Sequence, residues 1–391
     1  MTETPSEPGA ARGRTRRILM TTAAVGAGHT SVAAALRERF AAASPELDIR
    51  CIDVLDFVPR AFRTVYAGGF ALGMSRLRRL YGAGYWLSNR PHRPGRGPGE
   101  RIRLRFERAM LRGYAAFVRR ADPELILHTH FLPVPTTARL LDGGELGGEQ
   151  MVVVTDVEVH RFWYARRVAR WFVPAPPSAE PLRRWGVADD RVTVCGIPVR
   201  HRWADAHDET ALRDEWNVPH DRPAVVLTGG ATFTCGPIAR VARRLLDACP
   251  HMRLFALAGR NERLYRRLCS LPEAQQRMTV LGFSPRLHEL AAVSSLVITK
   301  PGGVTTSECL AAGKPMVLLP PVPGHEQGNA EFFRSAGAAV IARRPRDVAP
   351  LVAELLNDPA RLEAMSAAAR RLHRPAAETI VNAVRAATRP E

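Results

Sequence analysis

Short apolar runs alternate along the chain with longer stretches of helical composition. In the first half the runs fall at residues 17–23 (RILMTTA), 48–55, 125–129 and 151–155 (MVVVT), and residues 31–43 read as a helix. In the second half they fall at 224–228, 253–258, 278–281, 296–299 and 315–319, each followed by a Gly- or Pro-bearing turn and a further helical stretch. Short continuous runs of this kind predict buried strands of a parallel sheet with helices on both faces. The rhythm occurs twice, so the expected class is α/β with two doubly wound, Rossmann-like domains. The boundary is expected after Gly196-Ile197-Pro198-Val199, in the charged stretch 200–219. That gives a disordered polar tail at 1–15, an N-terminal domain at 16–200, a C-terminal domain at 201–375 and a final helical stretch at 376–391.

Composition narrows the class further. At 46% hydrophobic and 24% charged residues, a chain of 391 residues is globular and long enough for two cores. No apolar run approaches the roughly 18 residues that span a bilayer. Residues 1–17 are polar and lack the apolar segment of a secretory signal, and the six cysteines are scattered without a C-x-x-C pair. Reduced thiols in a cytoplasmic protein, without a zinc site, are therefore expected. The net charge of +18 comes almost wholly from arginine, because Lys300 and Lys314 are the only lysines. Between Arg60 and Arg120 there are fifteen arginines against two acids, Glu100 and Glu107. A patch of that sign suits an anionic membrane or a nucleic acid. No nucleic-acid-binding motif accompanies it, so nucleic acid is not an expected partner.

The densest chemistry lies in residues 299–330, TKPGGVTTSECLAAGKPMVLLPPVPGHEQGNA. It reads as strand, Gly-Gly turn, helix, second strand, then a polar loop opening another helix. Backbone N–H groups of Gly302, Gly303 and Val304, with Thr305 in the same turn, are expected to lie free at a helix N-terminus. Such a terminus favours a diphosphate, because unpaired donors and the helix dipole both point at it. Glu308, one turn further on, is placed to accept from ribose hydroxyls. The loop His325-Glu326-Gln327-Gly328-Asn329 offers Glu326, Gln327 and Asn329 to a sugar ring. Diphosphate, ribose and hexose sites in that order describe a nucleotide-sugar pocket. Near the N-terminus, Gly26-Ala27-Gly28-His29-Thr30-Ser31 fails as G-x-G-x-x-G because Ser31 replaces the third glycine. Its glycines still permit a tight turn and close approach to a substrate.

Residues 299–330 resemble the donor-binding half of the GT-B glycosyltransferases, in the pattern KPGG-x-T-x-x-E followed by PVPG-x-E-x-x-N-A. Within them the chain looks most like the branch holding the mono- and diglycosyldiacylglycerol synthases and the lipid-linked GlcNAc transferase of peptidoglycan synthesis. The resemblance implies two domains facing a central cleft, with the last helix crossing back onto the N-terminal domain. It implies that His29 is the acceptor base, in the acceptor loop that holds Gly26 and Gly28. Thr155–Trp163 resembles a T-D-x-x-x-H-x-x-W element, so Asp156 and His160 would orient the acceptor or the base, and Trp163 would pack against sugar or lipid. On the donor side, Gly229 and Gly230 would lie beside the diphosphate, ahead of a loop with fewer glycines than its relatives. Arg260 and Asn261 match a G-[KR]-N element near the nucleotide. Phe283 would hold the uracil or serve as an ordinary core aromatic, and Lys300 would be structural or close to phosphate.

No D-x-D motif is evident, so the resemblance implies transfer with inversion, from a UDP-sugar, with neither metal nor cofactor. The implied acceptor is a lipid, foremost diacylglycerol, met by residues 66–120 on the inner face of an anionic cell membrane. Residues 90–99 read there as a mobile loop. Three alternatives stay open: transfer to another lipid or a natural product, a UDP-GlcNAc 2-epimerase-like enzyme, and a scaffold with a decayed site.

Overall fold

The structure is a computed structural model that describes residues 17–75, 77–89, 97–230, 237–272 and 276–388. The tail at 1–15, most of the loop at 90–99 and the loop at 231–236 lie outside the described residues. The chain forms two six-stranded sheets, parallel throughout. The first holds β1 (Arg17–Thr22), β2 (Asp48–Asp53), β3 (Leu125–His128), β4 (Glu149–Val153), β5 (Val168–Val173) and β6 (Val192–Val194) in the order β2-β1-β3-β4-β5-β6. The second holds β7 (Ala224–Thr228), β8 (Arg253–Leu257), β9 (Met278–Leu281), β10 (Leu296–Thr299), β11 (Met316–Leu318) and β12 (Ala339–Ile341) in the order β12-β11-β10-β7-β8-β9.

The central strands are buried along their whole length, as in β3 and β7, because helices cover both faces. That two-sided burial makes their sequences continuous apolar runs. Three strands were not anticipated. β5 (VARWFV) carries Arg170 and is only partly buried there, while β6 and β12 are three-residue edge strands. Short or half-exposed strands leave no unbroken apolar run to read.

Topology fixes where ligands can lie. In an open parallel sheet the order reverses at one point, and a crevice opens beyond the carboxyl ends of the strands there. In the first sheet that point lies between β1 and β3, and in the second between β7 and β10. The segments leaving these strands contain His29, Thr129, Gly229, Gly230 and Lys300.

The last helix, Ala376–Ala387, buries Ile380, Val381 and Val384 in the cluster formed by Ile18, Met20 and Phe40 of the first domain. An Arg39–Glu378 ion pair at 3.4 Å accompanies that contact. Between β2 and β3 four helices are inserted: Arg60–Ser75, Arg78–Ser88, Pro98–Met110 and Arg112–Ala121. The last of these covers the sheet with fully buried Tyr114 and Val118. Of the eight large apolar side chains exposed among the described residues, all but Phe283 sit between residues 65 and 106.

Candidate active site

The helix after β1 starts earlier than its apolar pattern indicated. It runs Ala27–Ala43 with Gly26 as N-cap, so Gly28 and His29 belong to its first turn and not to a free loop. Gly26 is nearly extended (φ 161°), so its backbone does not demand glycine. The first turn brings His29 under the carboxyl end of β3. There its Nδ1–H donates to the Thr129 carbonyl at 2.7 Å, with Thr155 Oγ1 3.4 Å from the same nitrogen. Nδ1 therefore carries the proton, and Nε2 keeps the lone pair of a base. The His130 ring meets His29 edge-on with centroids 4.4 Å apart. Burial lowers the His29 pKa, opposed by the Asp156 charge and the Thr129 hydrogen bond, and His325 adds to the lowering. The imidazole is consequently neutral at physiological pH.

The opposite wall is the segment after β10. Gly302 N-caps the helix Gly303–Ala311, and its own N–H donates to the Lys300 carbonyl at 2.8 Å. Of the three N–H groups expected to be free, that of Gly302 is thus already engaged. The first-turn donors are those of Gly303, Val304 and Thr305, which have no carbonyl four residues back within the helix. Lys300 lies against Gly230, whose φ of 78° is a left-handed conformation that suits glycine, and against Gly302. Its Nζ is 3.2 Å from Glu326 Oε1. Gly229 leads directly from β7 into this corner. Glu308 is half-buried on the same helix, and its pKa is pushed up to about 8 by burial, against the pull of Arg202, Arg200 and a hydrogen bond with Trp203.

The two walls touch. A side chain on Gly303 would collide with the Thr155 carbonyl, and one on Gly28 would reach the Val304 methyl at 3.6 Å. The helix N-terminus therefore abuts the strand end that borders His29. Gly303→Ala is expected to force the walls apart and lower kcat/KM by on the order of 10²-fold, the usual cost of ångström-scale misplacement. Steady-state kinetics check this, and unchanged values would mean the domains do not meet here during turnover.

Several expected ligands have other partners. Residues 325–329 are not a loop but the first turns of the helix His325–Ser335. Asn329 is fully buried: its Oδ1 accepts from Val157 N–H at 2.7 Å, and its amide donates to Asp156 Oδ1 and the Pro301 carbonyl, both at 3.0 Å. It pins the two domains together, with both amide donors taken and no exposed surface to offer a sugar. Glu326 is buried between Lys300 and the Val322 N–H at 2.9 Å, while Gln327 is exposed. Asn261 caps the helix Glu262–Cys269 through the Leu264 N–H at 3.0 Å. Trp163 is 3% exposed within the core, so it backs His29 at 6.4 Å and does not face an acceptor. His160 accepts from the Phe162 N–H and meets Ser88 Oγ, both at 3.1 Å; burial holds its pKa down at about 4. Phe283, by contrast, is no core aromatic. It is 58% exposed, with the Arg260 guanidinium 5.1 Å from its ring centre. Thr129 and His130 went unread, although THF at the end of the 125–129 run was the available signal, and Thr155 was read only as the start of the T-D element.

Two doubly wound domains, one offering a neutral imidazole and the other a helix N-terminus across a shared cleft, form a GT-B glycosyltransferase. Residues 29–199 match the family model of monogalactosyldiacylglycerol (MGDG) synthase, and residues 228–381 that of the glycosyltransferase family 28 C-terminal domain. Over these two stretches the chain is similar to the MGDG synthase type of glycosyltransferase. The processive diacylglycerol beta-glucosyltransferase of Staphylococcus saprophyticus is 30% identical over 244 residues, so the match spans 62% of each chain. The enzyme of the same name from Bacillus cereus is 27% identical over 96% of this chain and 95% of its own. Among solved structures, a complex of S. aureus MnaA with UDP superposes with a TM-score of 0.64 at 16% identity, over 95% of this chain and 96% of that one. That last likeness shows the fold alone.

Proposed function

We propose that the protein transfers a hexose from a UDP-sugar to diacylglycerol at an anionic membrane surface. One observation carries the reading: a neutral, rigidly held imidazole, its Nε2 lone pair unused by the Thr129 hydrogen bond, stands on the wall that abuts a helix N-terminus flanked by Lys300. The acceptor hydroxyl gives its proton to His29 Nε2 while its oxygen attacks the anomeric carbon. As that C–O bond forms, the bond to the diphosphate breaks, and one displacement inverts the centre. The N–H groups of Gly303, Val304 and Thr305, with Lys300, take up the charge developing on UDP. This chemistry calls for no metal and no cofactor. Phe283 and Arg260 offer an exposed platform for the base, and Glu308 a carboxyl for the ribose. The relatives' names support diacylglycerol as acceptor and glucose as the sugar.

The lipid would be met by the inserted helices. Leu80, Trp86 and Ile102 are 68%, 65% and 69% exposed there, beside exposed Arg79, Arg101 and Arg105. Apolar side chains among arginines suit an anionic leaflet. Among the described residues no helix is long and apolar enough to cross a membrane. The reading therefore makes the protein peripheral, on the inner face of the cell membrane.

The test is UDP release from UDP-glucose, UDP-galactose and UDP-GlcNAc, with diacylglycerol in anionic or neutral vesicles, with and without EDTA. Diacylglycerol-dependent release, greatest on anionic vesicles and indifferent to EDTA, is expected. Release that ignores diacylglycerol would overturn the acceptor, and release abolished by EDTA would overturn the metal-free mechanism.

A further inference from the structure

The helix Arg78–Ser88 belongs to the first domain, yet it reaches the donor half at the closest range its residues allow. A side chain on Gly82 would run into the ring of Pro323. Tyr85 lies over Gly324, whose φ of 113° favours glycine and whose Cβ, if present, would stand 3.0 Å from the Tyr85 ring. Tyr81 Oη is 3.3 Å from His325 Nδ1, with the two rings edge to face. Positions 81, 82 and 85 share one helical face. They hold the turn that opens the helix carrying Glu326, the partner of Lys300.

The other face of this helix carries Leu80, Trp86 and Leu87, at least 59% exposed. Its C-terminal end is tied to the first domain: the Asn89 amide donates to Glu158 Oε1 at 3.2 Å, and Asn89 Oδ1 accepts from the Arg161 N–H at 2.9 Å. One short rigid element thus has an outward apolar face and an inward face locked onto the donor wall.

We infer that the helix Arg78–Ser88 couples lipid contact to donor binding. The inference rests on the membrane reading given above and adds a regulation to it. Bilayer contact holds the helix where Gly82 and Tyr85 fix the Pro323–His325 turn, so the donor site is completed at the membrane. Linkage requires the reverse: the donor must strengthen membrane binding by the same factor.

The experiment measures UDP-glucose affinity with and without anionic phospholipid vesicles lacking diacylglycerol, and vesicle partitioning with and without saturating UDP-glucose. A matched gain in both legs is expected, about 5- to 10-fold, within the usual range of allosteric coupling. Gly82→Ala is expected to reduce both factors to about 1. Alanine favours a helix over glycine, so that loss would not come from unfolding the helix. UDP-glucose affinity indifferent to vesicles that the protein does bind would overturn the coupling and leave the functional reading standing. Coupling that survives Gly82→Ala would overturn this helix as its route. Absence of vesicle binding altogether would overturn the membrane reading, and the coupling with it.

Discussion

His29→Ala is expected to lower kcat/KM by about 10²- to 10⁴-fold, the ordinary worth of a positioned general base, while UDP affinity stays within about twofold. The separation follows from geometry. His29 is held by Thr129 and Thr155 in the first domain, whereas the diphosphate donors lie on Gly303, Val304 and Thr305 of the second. A loss of UDP binding equal to the loss of rate would assign His29 to the donor site. The pH profile carries a second signature. Because burial lowers the His29 pKa from 6.5, the basic form persists below pH 6.5, and activity should fall only as pH drops through the lowered value. An acid limb above 6.5 would contradict the assignment. Folding sets a floor for the measurement. Burial holds His128 at about 3 and His160 at about 4, so the unfolded chain binds more protons below pH 6.5. The stability these groups contribute is present above 6.5 and lost as pH falls toward those values. A stability curve should therefore accompany the rate profile.

Asn329→Ala is expected to destabilise the closed arrangement by roughly 2–4 kcal/mol, because it strands buried partners that each cost about 1–3 kcal/mol when unpaired. The Val157 N–H, Asp156 and the Pro301 carbonyl all lose their contact with a side chain that is 0% exposed. Asn329→Asp should be no milder, although the shapes match. It exchanges the amide donor for a second carboxylate facing Asp156. Denaturation monitored with and without UDP measures this. The finding that would reverse the assignment is a variant of normal stability with altered choice among UDP-sugars, since that would return Asn329 to the sugar.

The comparison of residues 299–330 with their folded form separates two kinds of legibility. Lys300-Pro301-Gly302-Gly303 was readable as a strand end and helix start because a helix N-terminus is a local object. Even there, the Gly302 N–H turned back to the Lys300 carbonyl, a bond that depends on the turn's actual dihedrals. Glu326 and Asn329 are polar residues in a polar stretch, and the same letters serve a sugar or a domain contact equally well. Asn329 finds Asp156 at 173 positions' distance, and nothing near it in the chain announces that partner. Trp163 and His160 were misplaced for the same reason, since neighbours from β5 and the helix Arg78–Ser88 decide their exposure.

The sequence by itself determined the class, the number of sheets and the family resemblance. Strands buried on both faces must be written as unbroken apolar runs, and the motifs that carry the resemblance are contiguous. Tertiary structure alone decided which polar groups remain available for chemistry. A buried polar atom is satisfied by whatever packing brings within about 3 Å, and in two domains that meet across a cleft those atoms come from opposite ends of the chain. His29 keeps an open nitrogen because Thr129 takes the other, while Asn329 has none to spare.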